Sequence, residues 1–132
     1  MPKVAPELLL LACAAIIGLV QLMWAASAAR GQQGLKWGMG PRDEPKVLTG
    51  VAGRLERAHR NFMETFPIFA AAVVVAYLGS KLSPLTLWGS GLYVVARAVY
   101  APVYAAGVSG LRSLVWGVAL VGIVMVIAAI FL

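Results

Sequence analysis

The chain has 132 residues, of which 61% are hydrophobic and 12% charged, and its mean hydropathy is +0.87. That composition excludes a soluble domain with an ordinary polar surface and points to an integral membrane protein. The net charge of +6 is concentrated: seven of the eleven Lys and Arg residues lie between Arg30 and Arg60, which reads as membrane topology rather than as a nucleic-acid surface.

The first apolar segment, Val4 to Ala29, predicts a helix over about 4–30. It is about twice the usual 7–15 residues of a signal-peptide core, so it reads as a retained span despite the small residues of "ASAAR". The lone Cys13 within it has no partner for a disulfide or a metal site and reads as a small buried hydrophobe. A polar segment follows, with a loop over about 31–47 whose Gly and Pro density ("GMGP", "DEP") argues against a second folded unit.

The next apolar run, Phe66 to Leu78, is too short to cross about 30 Å of hydrocarbon. Its helix must therefore begin in the polar stretch before it, which predicts a span over about 48–79. Ser83 and Pro84 read as N-cap and first residue of a third helix over about 84–107, and "VSGLRS" separates it from a fourth over about 112–132. Pro67 and Pro102 fall inside helices and predict kinks with freed carbonyls, while Gly89 and Gly91 predict close helix approach. Trp24, Trp37, Trp88 and Tyr77 read as interfacial or packing aromatics.

None of these runs alternates with the period of two that a transmembrane β-barrel needs. The expected architecture is a single all-α membrane domain, 1–132, built as a four-transmembrane-helix bundle. The basic first loop is expected on the cytoplasmic side and both termini outside.

The run "LERAHRNFMETFP", Leu55 to Pro67, places charges at the mouth of a membrane-length helix, where they need partners. At about 100° per residue, Arg57, Arg60, Asn61 and Glu64 share an arc of about 100°, Glu56 stands four residues before Arg60, and His59 points away. Arg97, Tyr100 and Tyr104 form a second polar stripe, and Arg112 and Ser113 open the last helix. One reading of these stripes is internal ion pairing that holds helices together in lipid. The other is a shared pocket whose guanidiniums take carboxylates, whose acid takes an ammonium, and whose arginines favour a thiolate.

The same run, "ERAHRNFMETFP", resembles the signature of the MAPEG family, membrane-associated proteins in eicosanoid and glutathione metabolism, and "RAHRN-x-MET" is most similar to its prostaglandin E synthase branch. The resemblance extends to the helix count, the long basic first loop, the Arg and Tyr of the third helix and the Arg-Ser opening the fourth. It implies a homotrimer with glutathione bound between subunits on the cytoplasmic side. It places glutathione contacts at Arg60, Asn61 and Glu64, with Arg57, Arg97, Tyr100, Tyr104, Ser113 and the looser match Arg30 as further binding residues. Arg112 matches the thiolate-activating arginine and so the catalytic position, and Asp43 is a candidate for the loop acid of one branch. Where several relatives carry a Tyr one turn into the fourth helix, this chain has Trp116.

The function so implied is a membrane-embedded glutathione transferase or peroxidase for lipophilic electrophiles or lipid hydroperoxides, with glutathione as cosubstrate and no metal. A non-catalytic scaffold of the same fold is the alternative. A small four-helix exporter ranks below both, because such proteins usually carry a coupling acid in the first helix and Val4 to Ala29 is read as having none.

Overall fold

The computed structural model describes residues 3–41, 43 and 47–132, and among them the ordered elements are all helical. In chain order they are α1 (Pro6–Gln33), α2 (Leu35–Met39), α3 (Gly50–Leu78), α4 (Pro84–Ala106) and α5 (Ser109–Phe131). The five-residue α2 lies where the sequence reads as loop, and of the basic residues expected there Arg42 and Lys46 fall outside the described residues.

Among the described residues three helices, α1, α3 and α5, are long and apolar enough to cross a bilayer. At about 1.5 Å per residue, the 29 residues of α3 run to about 43 Å, well beyond about 30 Å of hydrocarbon, so its charged first half can stand clear of the lipid. The 23 residues of α4 match those of α5 in number but include Thr86, Ser90, Tyr93 and Arg97, all fully buried. The outward face of α4 is Leu87, Trp88, Val95 and Val99.

Lipid tails give apolar helices no hydrophobic reason to associate, so close backbone approach and internal hydrogen bonds must do it. A Cβ built at Gly89 would sit 2.7 Å from the Gly122 carbonyl oxygen, and one at Gly122 2.5 Å from that of Gly89, so this pair brings α4 and α5 into backbone contact. Gly91 meets nothing within 4 Å and does not serve the close approach expected of it, because it lies two residues round the helix from that contact. Between α3 and α4, Phe69 stacks on Tyr93 at 4.1 Å and the Tyr93 hydroxyl meets Thr65 Oγ1 at 2.9 Å. Gln32 at the end of α1 donates to the Thr49 carbonyl at 2.6 Å and accepts from its N–H at 3.0 Å, joining both ends of the α1–α3 connection.

Ser83 caps α4 through a reciprocal pair with Thr86, with Pro84 in the first turn. The Thr86 hydroxyl also donates to Glu7 Oε1 at 2.8 Å, and Glu7 is buried at 5% exposure. The first helix therefore does contain an acid, which corrects the reading of Val4 to Ala29; a single carboxylate in the first turn is easily lost in a strongly apolar window. Cys13 is another correction: it is exposed on the outer face of α1 rather than buried.

Candidate functional site

A cavity of about 350 Å³ lies where the first half of α3 meets the end of α4 and the start of α5. The spacing of Arg57, Arg60, Asn61 and Glu64 puts all four on the α3 wall. From α4 come Tyr100 and Tyr104, one turn apart, and from α5 come Arg112, Ser113 and Trp116. Three guanidiniums thus face one carboxylate, and the hollow favours an anionic occupant.

Tyr104 organises the cations. Its hydroxyl accepts from Arg57 Nε at 3.2 Å, while the Arg112 guanidinium lies over its ring, 4.6 Å from the centroid. The ring quadrupole thereby holds a cation in the cavity without neutralising it, an attraction of about 0.5–2 kcal/mol. Tyr100 meets Tyr104 edge-on at 5.6 Å and completes the aromatic wall. Arg60 is paired with Glu56 at 2.9 Å along the helix, in an exposed position where such a pair is weak and readily exchanged for a ligand carboxylate. The Ser113 hydroxyl donates to the Ser109 carbonyl at 3.2 Å, which leaves its oxygen as an acceptor.

Arg97 does not line this cavity. It lies beneath it, 0% exposed, with its guanidinium 4.2 Å from the Tyr100 ring centroid and Nη1 donating to Asn61 Oδ1 at 2.8 Å. That bond engages the Asn61 carbonyl oxygen, so Arg97 holds a wall residue in place from behind. Nε and Nη2 of Arg97 have no hydrogen-bond partner in the structure, which is costly for a buried charge.

Arg30 is the other sequence candidate the structure leaves apart: it is exposed on the last turn of α1, whereas the cavity is built from α3, α4 and α5. Asp43 is exposed and is not among the lining residues. Two contributors had no role assigned from sequence. Trp116 supplies an apolar surface to a polar hollow, at the position one turn beyond Arg112. Arg54 donates from Nε to the Ala105 carbonyl at 3.0 Å, placing a cation on the last turn of α4 and fixing the end that carries Tyr104. The helical spacing from Arg57 could have pointed to Arg54; its target, a backbone carbonyl on another helix, leaves no mark in sequence. Among the described residues no cluster of His, Cys, Asp and Glu could hold a metal ion.

The family model for the MAPEG family matches residues 9–132, nearly the whole chain and every residue of the cavity. The chain belongs to the MAPEG family. With its three apolar helices, it is an integral membrane protein. No curated protein sequence matches the chain significantly. For a MAPEG-family chain, the polar cavity at the end of an otherwise apolar bundle is where its chemistry has to be sought, since it gathers most of the charged and phenolic groups of α3, α4 and α5.

Proposed function

We propose that the protein is a glutathione-dependent transferase or peroxidase acting on lipophilic electrophiles or lipid hydroperoxides drawn from the bilayer. The observation that carries this is the donor set of the 350 Å³ cavity, a volume within the range of small-molecule sites. Glutathione presents two carboxylates, an ammonium, two peptide groups and a thiol. The carboxylates suit Arg57 and Arg60, the ammonium suits Glu64, and a peptide carbonyl suits the Asn61 amide that Arg97 holds.

In this reading Arg112, on its aromatic support, lies against the sulfur and favours the thiolate over a thiol of ordinary pKa near 8.5. The thiol proton leaves to solvent through the exposed side of the cavity. The thiolate then attacks carbon, a carbon–sulfur bond forms, and the leaving group departs with its electron pair. With a hydroperoxide the sulfur takes the terminal hydroxyl as the O–O bond breaks, the alkoxide leaves and takes a proton from water to become the alcohol, and a second glutathione converts the sulfenic acid to disulfide and water. Rate comes from thiolate population and from holding both partners together.

The same reading takes α4 as a fourth span, since its polar groups face inward and its outward face is apolar. It places the cavity and the basic loop on the cytoplasmic side, and three chains in a homotrimer in which the exposed Arg30 can reach a neighbouring cavity. The test is conjugation of a chlorodinitrobenzene-type electrophile by purified protein. Activity is expected with glutathione and lowered about 10- to 100-fold in Arg112→Ala; equal activity in that variant removes Arg112 from its role. The scaffold alternative is favoured by one feature, Trp116, which offers no phenol one turn beyond Arg112. Saturable glutathione binding without turnover would select it.

A further inference from the structure

A second cavity, of about 190 Å³, lies between α1 and α4 and shares no residue with the first. Of its α1 wall, Ile16, Val20 and Trp24 are all substantially exposed, so it opens on the outer surface of the bundle. Its lining is apolar apart from Gln21 and the Trp24 indole.

One hydrogen-bond acceptor at this cavity lacks the partner that burial requires. Gln21 is 4% exposed; its Nε2 donates to the Arg97 carbonyl at 3.5 Å, and its Oε1 has no partner. The assignment of nitrogen and oxygen is fixed by chemistry, because a carbonyl can only accept. Ala98, an exposed residue of α4, adds a carbonyl whose helical donor would be the N–H of the residue four later, and that residue is Pro102. Gln21, Ala98 and Pro102 all line the same cavity.

An apolar chamber with an unmet acceptor in its wall fits a molecule that is hydrophobic over most of its surface and donates a hydrogen bond at one point. An apolar cavity of about 150 Å³ takes a benzene ring, whereas a water fills only about 30 Å³ and would leave most of this wall unoccupied. We propose that the α1–α4 groove is a binding site for membrane-dissolved phenols, the ring filling the chamber and the hydroxyl donating to Gln21 Oε1, with the Ala98 carbonyl as alternate acceptor. The proposal does not depend on what the polar cavity binds.

Trp24 makes the site observable. In full-length protein in phosphatidylcholine nanodiscs, with Trp37, Trp88 and Trp116 each replaced by Phe, Trp24 fluorescence is titrated with p-bromophenol and with bromobenzene, both expressed per mole of lipid. Saturable quenching is expected, with p-bromophenol half-saturating at about tenfold lower membrane concentration, the worth of one buried hydrogen bond. Gln21→Leu is expected to abolish that preference and leave the bromobenzene curve in place, which also shows the groove intact. Equal saturation by the two ligands in the unsubstituted groove overturns recognition of the hydroxyl. Linear quenching by both overturns the site altogether, as when acyl chains or a second copy of this chain cover the groove. Should Gln21→Leu fail to fold, the ratio measured with Gln21 in place still decides.

Discussion

The two ends of the bundle handle polarity in opposite ways. At the end where α1 and α4 begin, Glu7, Ser83 and Thr86 bond to one another. Just beyond, Gly89 and Gly122 bring two backbones together. At the other end, Arg57, Arg112 and Glu64 border open space, two of the arginines are held by an aromatic ring instead of a carboxylate, and Asn61 is held by a buried arginine. Polar groups that hold helices together satisfy one another; polar groups that await a ligand are supported from behind and left open in front. The cavity has the open arrangement of the second kind, as the proposed function requires.

Substitutions should separate the two ends. The largest effect is expected from Arg112→Ala: loss of one charge-assisted contact to the thiolate, about 1.5–3 kcal/mol, lowers glutathione conjugation about 10- to 100-fold, while thermal unfolding in detergent is little changed. Gly89→Val should do the reverse. Its Cβ would meet the Gly122 carbonyl at 2.7 Å, so stability falls by about 1–3 kcal/mol in an unfolding titration, and glutathione affinity in the fraction still folded is retained. Tyr93→Phe removes the hydroxyl that meets Thr65 and should cost about 0.6 kcal/mol, again without changing affinity. Smallest is Glu56→Gln: the exposed pair with Arg60 contributes about 0.3–0.5 kcal/mol, and releasing Arg60 should leave glutathione binding equal or slightly tighter by calorimetry. A stability loss from Arg112→Ala as large as that from Gly89→Val would erase the distinction between the ends.

How far the sequence discloses this arrangement depends on the range of the interactions. The α3 stripe is legible because Arg57, Arg60, Asn61 and Glu64 stand at helical spacing in one short run, and the α4 start because a Ser-Pro cap is local chemistry. Arg97 shares an apparent stripe with Tyr100 and Tyr104, yet it points inward, because the register between α4 and α3 sets Asn61 over it. The tie from Arg54 to Ala105, the bond from Glu7 to Thr86 and the pairing of Gln21 with Arg97 each join residues more than fifty positions apart. Periodicity within one helix is silent about them. The prolines lie between these cases: a freed carbonyl at Ala98 follows from Pro102 alone, but that Ala98 and Pro102 line a groove beside Gln21 does not.

Calorimetric titration of the purified protein with reduced glutathione tests the central claim most directly. The account predicts saturable binding that weakens in Arg60→Ala and in Glu64→Gln and persists in Glu7→Gln. No binding at millimolar glutathione, or binding equally strong in Arg60→Ala and Glu64→Gln, would contradict it.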